Sequence, residues 1–498
     1  MQVKDQVTPL STQTGRMNGT PLTVKDLRSE IIGIDTVVPV LDGSERPYVF
    51  LDNGASTPTF RRVMKRIEEF LPWYSGVHRG MGFKSIVATE AYDRAHDVVA
   101  TFLGADPRTS HVIFTKNTTE CANKLAQRFA FSKDDIVVTT GMEHHSNDLP
   151  WRKHAEVIHV PVKELGYLDL AALQQILARH EGNVRLVAVT GASNITGICE
   201  PIHQIARWAH AAGALIFVDA AQLVPHRPVN VLPDSDSGHI DFLAFSAHKI
   251  YAPFGTGVLL GPLSFFEKGE PDAVGGGVAS IVTLDSVQWN DASHRDEAGS
   301  PNVVGGIALA EALTMMMEVG MENVAAHEQE LVAHAYDRLK RIQGIVFYGP
   351  TTNTNDKVGV IAFNVEGMHP GLVAAILATE GAIGVRNGYF CAQPYVKRLL
   401  NINEDDAKDA GCGVVETDAS TFPGMVRASF GCYSNEDDVA ALVEMLEHIV
   451  KKRYKGVYAQ NPSTGIFQPG GFSVDVSRYF SPFASHDQPT TNNTTEAS

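Results

Sequence analysis

The sequence predicts an α/β fold built on a mostly parallel sheet, and three observations predict it. Short apolar runs rich in Val, Ile and Phe recur between His111 and Gly261. Amphipathic stretches such as TTECANKLAQRFA and PIHQIARWAHAAG separate several of them. The runs are continuous rather than alternating, as in strands covered on both faces, and strands of that kind separated by helices belong to parallel sheets.

Up to Pro47 the chain is polar and shows little periodicity, apart from a short helical pattern in LTVKDLRSEI. Residues 1–47 are therefore read as an N-terminal arm. The text changes at YVFLD, and seven strand-like runs follow: HVIFT, DIVVTT, EVIHVPV, VRLVAVTG, ALIFVD, DFLAFS and GVLLG. Together they predict a large domain over residues 48–305. Beyond GSPNVVGG, the stretch IALAEALTMMMEVGMENVAAHEQELVAHAYDRLKRI has the pattern of one long connecting helix. It leads into a smaller α+β domain, the two together spanning residues 306–455, and the elements of that domain are VGVIAFNVEG, PGLVAAILATEG, MVRASFG and EDDVAALVEMLEHIVKKR. Residues 456–498, rich in Pro, Gly, Ser and Thr, predict an extended, partly disordered tail.

Composition narrows the function classes. The chain has 498 residues, 44% hydrophobic and 20% charged, enough for a substantial core. A net charge of −16 without a basic run argues against a nucleic-acid partner. No run approaches the roughly 18 apolar residues of a membrane helix, and the first residues lack the apolar stretch of a signal peptide, so a cytoplasmic location and no membrane partner are expected. Five cysteines without a CxxC pair form neither a zinc ribbon nor a disulfide framework, which fits a reducing compartment. His144 and His145 are adjacent and lack a further ligand cluster, so no metal is expected there.

In parallel sheets ligands sit beyond the carboxyl ends of the strands. Five of the runs end in polar, specific text: TKNTTE, GMEHHSN, TGASNITG, DAAQ and SAHK. Lys249 follows one of them and precedes a Gly-containing loop. A lysine kept near neutral by burial can bond a carbonyl carbon, which is how pyridoxal phosphate is held. Such a cofactor needs an acidic partner for its ring nitrogen, and Asp219 ends a strand 30 residues earlier. Thr118 and Thr119 open a helix whose free N–H groups suit a phosphate, and Ser246 and His248 can add donors. The ring of His144 is suited to stacking on a pyridine, while Asn194 and Gln222 can hydrogen-bond the cofactor and hold a substrate.

The ordered motifs LDNGASTP, VHRG, TTE, EHHSN, SNITG, DAAQ, SAHK, GSPNVVG, RNGYFCAQP and VRASFGCYSNEDDV resemble the class V branch of fold-type I pyridoxal-phosphate enzymes over roughly residues 48 to 450. The similarity is greatest to cysteine desulfurases and selenocysteine lyases. The resemblance implies the aspartate-aminotransferase-like fold, with a seven-stranded, mostly parallel sheet in the large domain. It implies that Lys249 carries the cofactor and moves the substrate's Cα proton, and that Asp219 keeps the ring nitrogen protonated. Gln222 would bond the ring oxygen, and His144 would stack and assist proton transfer. Arg427 would grip the substrate carboxylate, with Asn194 nearby. Ser300 would reach the phosphate of a second subunit, which implies a homodimer. Cys391 in RNGYFCAQP matches a nucleophilic cysteine that takes sulfur as a persulfide, and Arg386 lies five residues before it. Ala55, His78 and Arg79 match segments lining the same cleft, and a sulfur-acceptor protein is an implied partner.

Three readings remain open at this point. One is a lyase removing sulfur or selenium from cysteine or selenocysteine to give alanine, through Cys391. Another is a different class V reaction on an amino acid, such as epimerisation, transamination or C–C or C–S cleavage, with Cys391 incidental. The third is a scaffold for sulfur-transfer partners. Three departures from the family pattern bear on the choice: Gly54 where alanine is common, Phe254 in APFG after the lysine, and the acidic insertion NINEDDAKDAGCGVVETDAS, within residues 396–423, between Cys391 and Arg427.

Overall fold

The computed structural model describes residues 22–352, 354–402 and 423–480. Seven strands build its main sheet: β1 (Ser110–Thr115), β2 (Ile136–Thr140), β3 (Glu156–Val160), β4 (Val184–Thr190), β5 (Leu215–Asp219), β6 (Phe242–Ser246) and β7 (Gly257–Pro262). Their order is β1-β7-β6-β5-β4-β2-β3. The five strands from β6 to β3 are parallel, and β7 runs antiparallel to both of its neighbours. The seven-stranded, mostly parallel sheet of the resemblance is therefore present.

The reason the strands read as unbroken apolar text is visible in their packing. Val112 and Phe114, Val187 and Val189, Ile216 and Val218, and Leu243 and Phe245 face one buried cluster. The alternate residues Ile113, Leu186, Ala188, Phe217, Phe242 and Ala244 face a second cluster on the other side. With both faces dry, few positions on these strands call for a polar side chain.

Six of the helices bear on the argument before the second sheet begins. They are α1 (Val24–Glu30), α2 (Phe83–Leu103), α3 (Thr118–Arg128), α4 (Ile202–Ala211) and α5 (Val303–Val319), followed by α6 (Met321–Leu339). Thr23 and Asp26 form a capping box that starts α1. Arg28 anchors it to Asp438 at 2.8 Å, so the end of the arm is bound to the body of the protein. The single connecting helix expected from the sequence is instead two helices. Gly320 adopts φ +84° between α5 and α6, a conformation that a side chain disfavours, and the two axes are bent by 76°. Among the described residues no single helix is long and apolar enough to cross a membrane.

The second sheet comprises β8 (Ile345–Tyr348), β9 (Val360–Val365), β10 (Arg386–Gly388) and β11 (Met425–Ser429), ordered β8-β9-β11-β10 and antiparallel throughout. With α7 (Pro370–Gly381) and α8 (Glu436–Val450) it encloses a separate core that includes Val373, Val426, Leu442 and Ile449. The first part of the expected tail is ordered. Tyr458–Gln460 and Phe467–Pro469 pair as a hairpin. Tyr458 donates to Glu380 at 2.9 Å, and Phe467 packs on His369 before α7. Residues 481–498, and the stretch 403–422 that holds most of the acidic insertion, lie outside the described residues.

Candidate active site

Four of the parallel strands, β2, β4, β5 and β6, deliver their carboxyl ends to one cleft of about 260 Å³. Its walls bring together Ala55, Thr118, Thr119, His144, Asn194, Asp219, Gln222, Ser246, His248, Lys249, Arg386, Cys391 and Arg427. Residues from both sheets meet there, because Ser429 of β11 donates its N–H to Leu51 and accepts the Gly54 N–H on its hydroxyl at 2.8 Å.

One end of the cleft is rich in donors. Asn117 caps α3 by accepting the Glu120 N–H, and Thr118 donates its own N–H to Ser246 Oγ at 2.9 Å. The Thr118 and Ser246 hydroxyls lie 2.8 Å apart, and Thr119 pairs with Ser146 at 2.7 Å. β7 passes directly behind: a Cβ on Gly257 would fall 2.5 Å from the Asn117 Cα, so only glycine lets the strand and this turn approach.

Lys249 and Asp219 follow from neighbouring strands. Asp219 is buried, which raises its pKa, and it accepts the Ala221 N–H at 3.0 Å. Burial pulls the Lys249 amine down from the usual lysine range to about 8, against the opposing pull of the Asp219 charge. The partial removal from water that the sequence placed on this residue thus yields an amine that is about half neutral near pH 8. Burial also lowers His144 to about 3, helped by the charge of Lys249. Because His144 Nδ1 accepts the Ser146 N–H at 3.1 Å, the neutral ring carries its hydrogen on Nε2.

The opposite wall holds the thiol and two guanidinium groups. Cys391 is exposed, at φ +55°, directly after Phe390 at φ +51°. Two bonds fix this turn: Asn194 donates its amide to Phe390 O at 2.8 Å, and the His145 N–H donates to Cys391 O at 2.7 Å. Arg427 is buried, lies over the Phe390 ring, and donates to Asn194 O at 3.1 Å. Its Nε has no partner among the described residues. Arg386 and Arg427 are direct cross-strand neighbours, a like-charge pair that repels. Asp52 lies between them, accepting from Arg386 at 2.9 Å and from Arg427 at 3.2 Å.

Three of the expected residues stand elsewhere in the chain. His78, with Arg79 and Ser300, lines a different cleft of about 850 Å³ that shares no residue with that of Lys249. His78 Nε2 lies 2.9 Å from Asp93 on α2. Within one chain the VHRG segment is held by α2 and so does not reach Cys391. Phe254 also stays out of the Lys249 cleft. It packs partly into the main core, and its carbonyl accepts from Asn302 at 2.7 Å. Asp52, Glu143, Phe390 and Ser146 did not stand out in the sequence. Glu143 is buried and fixes the turn before His144 by accepting from Thr140, Asn147 and the Thr190 N–H. Its position immediately before His144 in a strand-end turn was the available signal.

Comparison with known proteins decides the family. The aminotransferase class-V family model matches residues 49–442. This chain belongs to the class-V aminotransferase family. Among curated relatives, a cysteine desulfurase of Haloferax volcanii is 36% identical over 415 residues, covering 82% of this chain and 90% of the relative. A probable cysteine desulfurase of Halalkalibacterium halodurans is 33% identical over 83% of this chain and 96% of its own. Among solved structures, the apo cysteine desulfurase of Thermococcus onnurineus superposes with a TM-score of 0.74 at 32% identity, covering 87% of this chain and 99% of that one. The Escherichia coli cysteine desulfurase CsdA, in an S-sulfonic acid form, gives 0.71 at 27% identity, covering 88% and 100%. The class-V fold and the enzyme class of the sequence reading agree with these likenesses.

Proposed function

We propose that the protein is a pyridoxal-phosphate-dependent cysteine desulfurase, or a selenocysteine lyase of the same chemistry, which leaves L-alanine and collects the sulfur on Cys391. The observation that carries this reading is a single cleft holding a partly desolvated amine, a buried carboxylate and an exposed thiol. The names of the relatives support the substrate class.

The donor set fits the cofactor. Asp219, with one N–H bonded to it, keeps acceptor capacity for a protonated ring nitrogen. Thr118, Thr119, Ser246 and His248 supply hydroxyls and a ring beside the start of α3, a chemistry suited to phosphate. Lys249 would hold the aldehyde carbon and Gln222 the ring oxygen, with His144 against the ring. When bound, pyridoxal phosphate supplies an electron sink for the pair released at the substrate's Cα and Cβ.

The remaining work belongs to the chain itself. Arg427 and Arg386 bind the substrate carboxylate. Lys249 takes the Cα proton, and His144, neutral with its hydrogen on Nε2, orients and shields the reacting face. The Cys391 thiolate attacks the substrate sulfur, a sulfur–sulfur bond forms, the carbon–sulfur bond breaks, and its electron pair returns to carbon as alanine is protonated. A thiol reductant or an acceptor protein then takes the sulfur from Cys391.

Purified holoenzyme given L-cysteine and a thiol reductant should form alanine and sulfide in equal amounts, with selenocysteine as a second substrate in the panel. Any other product from these amino acids would reject the desulfurase reading. Arg427→Lys keeps the charge but loses the planar fork, and is expected to raise KM for L-cysteine about 10- to 100-fold with a smaller change in kcat.

A homodimer completes the reading. Met81 and Phe83 are 92% and 71% exposed beside the cleft of His78 and Ser300. A second copy covering them would suit the role that the family resemblance implies for Ser300, at the partner's phosphate site. Sedimentation should give a two-chain particle, and a monomer at working concentration would remove that role from Ser300. The four described cysteines are unpaired, in keeping with a reducing, cytoplasmic setting.

A further inference from the structure

At the end of the sheet remote from Lys249, three histidines are fastened to one turn. Residues 236–241, DSGHID, lead into β6. The carbonyls of Asp236, Ser237 and Gly238 lie 2.7, 2.8 and 2.8 Å from the Nδ1 atoms of His239, His210 and His203. A carbonyl only accepts, so each ring carries a hydrogen on Nδ1, and in the neutral form its lone pair is on Nε2.

For two of these rings that lone pair meets another acceptor. His210 Nε2 lies 2.9 Å from Asp241 Oδ2, and His239 Nε2 lies 3.4 Å from Asp241 Oδ1. Acceptors 2.9 Å apart need positive charge between them. Protons on both rings would supply it, but as two imidazolium ions stacked with centroids 4.2 Å apart and one carboxylate to share. A single divalent cation brings the same charge, +2, to one point bonded to all three groups, and leaves no stacked pair of cations.

We propose that His210 Nε2, His239 Nε2 and a carboxylate oxygen of Asp241 form a binding site for a divalent first-row cation of the zinc kind. The three ligand atoms all lie within 4.8 Å of one another. Tetrahedral zinc with bonds of about 2.0–2.2 Å spaces its ligand atoms by roughly 3.3 Å, close to the separations seen here. The Nδ1–H to carbonyl bonds are the outer contacts that orient metal-bound histidines. Asp241 is itself steadied by the Ile216 N–H at 2.9 Å. Two imidazole nitrogens disfavour magnesium and calcium, which take oxygen ligands. The rings are inclined by 22°, so capture splays them about their Nδ1 anchors and leaves a fourth position to water. The ion would join α4, which carries His210, to the turn before β6 and to the start of β5. This brace acts on stability and lies outside the cleft of Lys249.

The sequence conceals this cluster because His210 and Asp241 are separated by a strand and a loop. Their meeting depends on β5 and β6 lying side by side.

The test uses chelator-stripped holoenzyme titrated with Zn²⁺ against a competing chromophoric chelator. The wild type is expected to hold one more equivalent than His210→Ala or His239→Ala, with kcat unchanged in both. Zn²⁺ should raise the melting temperature of the wild type and leave those of the variants in place, while Mg²⁺ should shift none of them. Equal zinc content in the wild type and both variants would overturn the site. Should a variant fail to fold, Co²⁺ bound to the wild type decides. Tetrahedral d–d bands without thiolate charge transfer support the site, whereas no such bands, or thiolate charge transfer alone from an ion at a cysteine, reject it.

Discussion

Lys249→Ala should give a colourless protein whose turnover of L-cysteine falls by about 10⁴-fold, since both cofactor capture and Cα proton transfer are assigned to one amine. The loss is specific if the variant melts near the wild-type temperature, which is expected because no hydrogen bond within the described residues depends on Lys249 Nζ. The pH dependence of capture offers a finer check. Only the neutral amine has a lone pair to offer, and burial lowers its pKa from the lysine range to about 8. Covalent capture of pyridoxal phosphate by the stripped protein, trapped with borohydride and read by mass, should therefore rise with pH through about 8 and level off above it. An unperturbed lysine would place that rise above pH 10. A rise found there, or a borohydride adduct on another lysine, would remove Lys249 from its role.

Cys391→Ala is expected to lower alanine and sulfide formation about 100-fold or more while leaving the bound cofactor's colour intact. The other described cysteines are poorly suited to substitute for it. Cys121 is buried, and burial raises it to about 12, as it does the half-buried Cys199. Cys432 is buried and raised as well. Cys391, by contrast, is exposed and lines the same cleft as Lys249, Arg386 and Arg427. Alanine formation undiminished in the variant would make the thiol a bystander and move the enzyme to another class V reaction.

Much of this molecule was legible because burial on two faces leaves a strong mark. Strands such as VRLVAVT and FLAFS carry apolar residues at every position or nearly so, and the polar text at their ends marks the cleft. Lys249, Asp219, His144 and Asn194 follow strand ends directly, so local text sufficed to find them. What was missed depends on contacts between distant segments. Asp52 gains its place only when β10 and β11 bring two arginines beside it. The break at Gly320 was hidden by a helical pattern that resumes in phase with good helix formers on either side. His78 was assigned to the cleft of Cys391 by its motif, and the bond to Asp93 on α2 holds it in the other one within a single chain.

If Arg386 and Arg427 hold the substrate carboxylate as proposed, the carboxylate of Asp52 that they share gives substrate entry the character of ion exchange. An incoming amino acid would compete with a resident anion for the same guanidinium forks, so its affinity would be the difference between two carboxylates. On the proposed reading, esters and amides of cysteine would have nothing to exchange and should bind weakly.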